Sequence, residues 1–337
     1  MTDSTLPAPV STRFTDMTGC DYPVIVAPMF LVSNEDMVVA GSNAGAIGAA
    51  PSLNWRKPEE FDAALAAVKS RTDKPFAVNI IVSKANPRAE RDLETIVRHR
   101  VPVVITSLGN PGKVIEAVHS YGGKVFCDVT TLEYALKVER LGADGVVAVS
   151  SGAGGHAGHI SPMVLIPYLK QNLSIPIVAA GGIATGRQVL AAFVLGADAV
   201  QIGTRFIATA EAHVSEDYKQ AIVHAEPENI VMTSRISGTP AAVINTPYIQ
   251  KIGTDLSWFE KTLRKYPATA RYAKMLRYLS GTKRLENAAQ GVSWKTVWSA
   301  GQGVGFVKDV TTIEEALRKI MREYHDAADG CRDLFRR

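Results

Sequence analysis

Between residues 24 and 206 the chain alternates short, uninterrupted apolar runs with longer segments of helical period, and this alternation constrains the fold more than any other feature. A run without a polar residue at every second position does not suit a sheet with one wet face. It suits a strand buried on both sides, as in a parallel sheet covered by helices. The runs are VIVAPM (24–29), AIGAAP (46–51), FAVNIIV (76–82), VPVVITSLG (101–109), KVFCDV (124–129), DGVVAVS (144–150), IPIVAAGGI (175–183) and AVQIGTRF (199–206). Their starts recur about every 20 to 30 residues, enough for one strand, one helix and two short loops. Eight such units in succession predict an α/β fold, a closed (β/α)8 TIM barrel; an open doubly wound sheet is the alternative.

The segments between the runs carry helix punctuation. Ser33-Asn34, Pro58 and Thr130-Thr131 stand at helix starts, and Gly142 and Gly196 at helix ends. Leu141-Gly-Ala-Asp-Gly-Val and Leu195-Gly-Ala-Asp-Ala-Val echo each other, as expected of equivalent units. After Phe206 the pattern changes, with Tyr272, Met275, Leu276 and Leu279 at helical spacing. This reading divides the chain into a barrel over 12–226, an inserted, mainly helical cap over 227–297, a return to the barrel over 298–328 with a helix at 312–327, and a loose tail over 329–337.

Composition narrows the partners. Lys and Arg number 37 against 33 Asp and Glu, and this net +4, interspersed along the chain, is too small a footprint for nucleic acid. Cys20, Cys127 and Cys331 are far apart and form no C-x-x-C pair, which suggests neither a disulfide framework nor a zinc site and fits a reducing, cytoplasmic setting. The polar start MTDSTLPAPVST lacks the pattern of a secretory signal, and no later run has the length of a membrane span.

In a (β/α)8 barrel the chemistry lies where strands end and loops begin. Gly181 and Gly182 follow the seventh run, and Gly203 and Thr204 follow the eighth, the place where such barrels bind phosphate through exposed backbone N–H groups. Tight turns alone would also account for either glycine set. The loop SSGAGGHAGHISP (150–162) follows the sixth run and surrounds His156 and His159 with glycines. An imidazole ordinarily titrates near neutral pH, so His156 is the candidate general base. A metal-binding H-x-x-H reading is disfavoured by the glycines and by the lack of an intervening glutamate. Ala27, Pro28, Met29 and Phe30 end the first run and Asn79 lies within the third; these suit either packing on a flat ring or a plain core-capping loop. No lysine ends the fifth to eighth runs and no cysteine lies in 150–162, against Schiff-base and covalent-thiol chemistry. The basic, aromatic stretch at 258–279 reads as a solvated helical face, with a subunit interface, such as that of a homodimer, or an anionic substrate as the alternative.

Six motifs in order, P-V-I-V-A-P-M, K-P-F-A-V-N, A-G-G-H-A-G, A-A-G-G-I-A-T-G-R, L-G-A-D-A-V-Q-I-G-T-R-F-I-A-T and A-G-Q-G-V-G, resemble the nitronate monooxygenases, formerly called 2-nitropropane dioxygenases. Flavin-dependent enoyl-acyl-carrier-protein reductases and NADH:quinone reductases are related. The resemblance runs from about Thr12 to Val310. It implies an FMN-binding barrel in which Ala27, Pro28, Met29, Asn79, Asp128, Ser151, Gly154, Gly155, Gly181, Gly182, Gly203, Thr204, Gln302 and Gly303 form the cofactor surface and His156 matches the catalytic histidine. The implied reaction oxidises an alkyl nitronate or nitroalkane with dioxygen to a carbonyl compound and nitrite, without a metal. Electron donation by NAD(P)H to a quinone or enoyl thioester is the second reading, and a non-redox phosphate-binding barrel the third. The chain departs from the family pattern at Gly152, where glutamate is frequent, at Asp128, where lysine or glutamine is frequent, and at Phe30, where a smaller residue is common.

Overall fold

A computed structural model describes residues 7–83, 85–234, 239–254 and 297–335. Eight parallel strands, β1 (Val24–Val26), β2 (Ile47–Pro51), β3 (Phe76–Ile81), β4 (Val103–Ser107), β5 (Lys124–Val129), β6 (Gly145–Val149), β7 (Ile177–Ala180) and β8 (Ala199–Ile202), close in sequence order, because β1 pairs with both β2 and β8. The helices between them are α2 (Glu35–Asn43), α3 (Pro58–Arg71), α4 (Ala89–Arg98), α5 (Gly112–His119), α6 (Leu132–Arg140), α7 (Pro162–Asn172) and α8 (Gly186–Val194), with α1 (Arg13–Thr18) preceding β1. Closure settles the choice between barrel and open sheet.

Alternation within each run becomes inside and outside. Ile25, Ile47, Ala77, Ile105, Phe126, Val147, Val178 and Ala199 point into the barrel, whereas Val24, Val26, Val78, Val104, Cys127, Val146 and Val200 pack under the helices. The inner cluster also takes in Phe14 of α1, whose ring meets Phe126 edge-on at 5.3 Å. Met17 and Thr18 of the same helix stand beside Pro102 and Lys124 at the strand starts, so α1 stoppers the N-terminal end of the barrel. Thr12 caps this helix by accepting from the Thr15 N–H, and Gly19 ends it at φ 77°.

After β8 come α9 (Thr204–Ile207) and α10 (Glu216–His224). The described part of the expected cap mixes helix and strand, and most of that segment lies outside the described residues. A single 3-10 turn at Pro227–Asn229 leads into an antiparallel pair, β9 (Ile230–Thr233) and β10 (Ala241–Ile244), and then α11 (Pro247–Ile252). These strands are only four residues each, too short for a period-2 signal to stand out. The helical spacing at Tyr272 to Leu279 and the basic stretch at 258–279 lie outside the described residues.

The loose tail is corrected. The last helix, α12 (Ile313–Phe335), runs through most of it, since one interior glycine, Gly330, costs only about 1 kcal/mol against alanine. α12 lies against α8: a Cβ on Gly186 would sit 2.1 Å from the Ile320 carbonyl oxygen, and Glu323 accepts from the Gly186 N–H at 2.9 Å. No helix among the described residues is long and apolar enough to cross a membrane.

Candidate active site at the C-terminal mouth of the barrel

The barrel interior is apolar until its last ring, where four inward positions are polar, Asn79 on β3, Ser107 on β4, Asp128 on β5 and Gln201 on β8, beside apolar Val149 on β6 and Ala180 on β7. Three of these form a directed chain. The Asn79 amide nitrogen donates to the Ile105 carbonyl at 3.2 Å and to Ser107 Oγ at 2.7 Å, and Ser107 Oγ donates to Asp128 Oδ2 at 2.5 Å. Because the Ile105 carbonyl can only accept, the orientation of the Asn79 amide is determined, and the ionised Asp128 carboxylate can only accept from Ser107. Asp128 keeps some exposed surface as a residue, yet its Oδ1 is sealed from solvent without a hydrogen-bond partner, as is Oε1 of Gln201. Burial pushes the Asp128 carboxyl up to about 6 from its ordinary 3.8, against the opposing pull of the Ser107 hydroxyl.

The expected residues at the end of β1 lie beside those at the end of β8. A Cβ on Gly203 would touch Met29 Sδ at 3.4 Å and Ala27 Cβ at 3.5 Å. The loop that carries Pro28 and Met29 is clamped from both sides. Ser33 Oγ accepts from the Met29 N–H and donates to the Ala27 carbonyl, while Asn54 accepts from Leu31 N–H and donates to the Met29 carbonyl. Leu31 is held at φ 62°, a conformation that side chains of its kind rarely adopt, and Phe30 is exposed beside it.

Gly181 and Gly182, after β7, have φ of 123° and 72°. A Cβ on Gly182 would meet nothing within 4 Å, so the turn needs glycine there for its backbone and leaves open space at its surface. The late glycine segment lies against this turn. A Cβ on Gly303 would come 3.4 Å from Ala184 and 3.5 Å from Gly182, and Thr204 Oγ1 accepts from the Gly301 N–H at 2.9 Å. Gly181, Gly182, Gly203, Thr204, Gln302 and Gly303 therefore gather on one side of the mouth. Across it stand Asn79, Ser107 and Asp128.

The 150–162 loop is held as a layer between two partners. On one side Gly155 exchanges both backbone hydrogen bonds with Ala242 of β10, at 3.0 and 2.7 Å. On the other, Gln302 N–H donates to the Gly152 carbonyl, and a Cβ on Gly154 would lie 2.9 Å from the backbone of Ala300 and Gly301. The loop closes through Ser151 N–H to the Ile160 carbonyl. In the structure the Gly155 N–H is bonded to β10, and Gly154 is bare where another backbone crosses it. His156, next along, is exposed on this braced loop.

Sequence reasoning missed Ser107, Gln201 and the partner strand β10. The first two left a signal, a polar residue at the inward alternate position of an apolar run. The third left none, since Ala242 contributes only its backbone.

A closed parallel barrel with glycine-built turns after strands seven and eight and polar residues at the same mouth is the architecture in which (β/α)8 enzymes place their active sites. The nitronate monooxygenase family model matches residues 11–95 and 87–323, and the chain belongs to that family. It is a flavin-dependent oxidoreductase. A hydroxy-methyl-oxo-octahydro-indene carboxyl-CoA dehydrogenase of Mycobacterium tuberculosis is 31% identical over 269 residues, covering 78% of this chain and 75% of that protein. A probable nitronate monooxygenase of Staphylococcus saprophyticus is 28% identical over 348 residues, covering 90% and 94%. Among solved structures, FabK from Thermotoga maritima superposes with a TM-score of 0.84 at 33% identity, covering 96% of this chain and 99% of that one.

The residues at the mouth fit a flavin. The open surface at Gly182 leaves room at backbone N–H groups, and the orphaned oxygens of Asp128 and Gln201 are polar atoms facing the barrel interior without partners.

Proposed function

We propose that the chain binds FMN at this mouth and oxidises alkyl nitronates with dioxygen to a carbonyl compound and nitrite. The observation that carries this reading is the joining of two features by the 301–303 segment: the glycine turns after β7 and β8, and the braced loop that presents His156. Gly181, Gly182, Gly203 and Thr204 would hold the phosphate through backbone N–H groups and a hydroxyl. Ala27, Met29 and Asn79 would line the ring, with Gln302 and Gly303 beside it. The cofactor supplies the electron transfer that side chains cannot. His156 takes the proton from the carbon beside the nitro group of a neutral nitroalkane, or orients the nitronate when that proton is already gone.

Oxygen uptake with ethyl and propyl nitronates, with and without NADH, tests the reaction. His156→Ala should slow turnover of neutral nitroalkanes by about 10²- to 10⁴-fold, the span of general-base catalysis, and nitronates by much less. Equal loss on both substrates would remove the base role, and a purified chain that neither carries nor takes up FMN would remove the cofactor.

One observation favours a second reading, in which NAD(P)H reduces the flavin and a thioester is the partner substrate. The relatives at 31% and 28% identity from Mycobacterium tuberculosis and Rhodococcus jostii are named carboxyl-CoA dehydrogenases. With NAD(P)H as donor an enoyl thioester would be the electron acceptor, and His156 would return a proton to the carbon beside its carbonyl, the reverse of the proton transfer proposed for a nitroalkane. Anaerobic mixing with NADH separates the two, since fast bleaching of flavin absorbance belongs to the second alone.

A further inference from the structure

We propose that Asp128 takes up one proton when an anionic substrate binds at the barrel mouth, so that the anion meets a neutral acid. The inference rests on the reading of that mouth as a nitronate site. Its basis is the Asn79–Ser107–Asp128 chain. Ser107 Oγ accepts from Asn79 and donates to Asp128 Oδ2, which occupies that oxygen as an acceptor. A proton added to the acid therefore goes to Oδ1, the sealed oxygen without a partner.

The surroundings make ionisation costly beside a second negative charge. β4 presents Ser107, and β6 pairs Val147 opposite Asp128. The titratable neighbours sensitive to its charge are Cys127 and, from α6, Tyr134, and burial keeps both in their neutral forms. Asn79 and Gln201 complete the polar positions of the inner ring as uncharged amides. Among the described residues, no cationic side chain shifts Asp128. With its carboxyl already lifted toward neutral pH by burial, an anion arriving at the mouth raises it further, and a proton from solvent comes with the ligand. A lysine at this position would instead attract the anion without any proton.

Titration calorimetry of the FMN-loaded enzyme with nitrate, a planar anion shaped like a nitronate head, counts the protons when repeated at pH 7.5 in buffers of different ionisation enthalpy. The expected result is about one proton taken up per nitrate, with Kd weakening by up to about tenfold per pH unit above the Asp128 titration. Asp128→Asn should bind nitrate with no proton uptake and a flat pH profile. Ser107→Ala, which removes the hydrogen bond favouring the carboxylate, should move the onset of weakening to higher pH. Nitrate binding without proton uptake by the unaltered enzyme overturns the inference and leaves the nitronate reading standing. Failure of nitrate and of nitronates to bind any form overturns both.

Discussion

Replacement of Asp128 by asparagine should stabilise the fold above neutral pH and change it little in acid. The native carboxyl titrates near about 6 and the unfolded one near 3.8, so between those values the native state holds more protons than the unfolded state. Stability contributed by this group is therefore present in full below the unfolded value and is lost as pH rises through the native one. The gap of about two units, at 1.36 kcal/mol each, amounts to about 3 kcal/mol. Asparagine keeps an oxygen to accept from Ser107 and carries no charge, so it escapes that loss. Its NH2 replaces a buried O–H as an unpartnered donor, a cost that is similar at every pH. Urea unfolding of both proteins, followed by circular dichroism from pH 4 to pH 8, measures the difference directly. The variant should gain about 2.4 kcal/mol on its parent between pH 4 and pH 8, most of the full gap, since at pH 4 the unfolded carboxyl is already about half ionised. Parallel stability curves would refute the argument, because they would mean that the native carboxyl pays no desolvation penalty on ionising.

Two further substitutions test the frame around the site. Phe14→Ala removes the stopper ring from the N-terminal end of the barrel, and should cost about 3–5 kcal/mol in thermal unfolding without altering flavin affinity, since it lies at the opposite end from the mouth. Gly301→Ala would put a Cβ 2.4 Å from the Gly152 carbonyl oxygen and 2.8 Å from the Gly154 nitrogen, forcing the His156 loop off the 301–303 segment. Fluorescence titration should then show FMN binding weakened by about tenfold or more, equal to about 1.4 kcal/mol.

The barrel itself was legible because its signal is local and repeated. A strand covered on both faces must be apolar at nearly every position, and KVFCDV coincides with β5 residue for residue. The placement of Gly181, Gly182 and Gly203 at the C-terminal mouth was legible for a related reason, since they follow directly on the seventh and eighth runs. The cap was less so: β9 and β10 are short, and what β10 offers the site is backbone, which no side chain advertises.

From residues alone, then, came the eight-unit repeat, the end of the barrel where chemistry belongs and the histidine placed there. Those properties follow from periodicity, which a linear string contains. Only the tertiary structure decided that Asn79, Ser107 and Asp128, 28 and 21 positions apart along the chain, form one directed hydrogen-bond chain. It likewise decided that Gly301 must be bare so that the chain can return across the loop of His156. Adjacent parallel strands bring together residues a whole βα unit apart, and which of them share a ring depends on register, a property of pairing that no single strand contains.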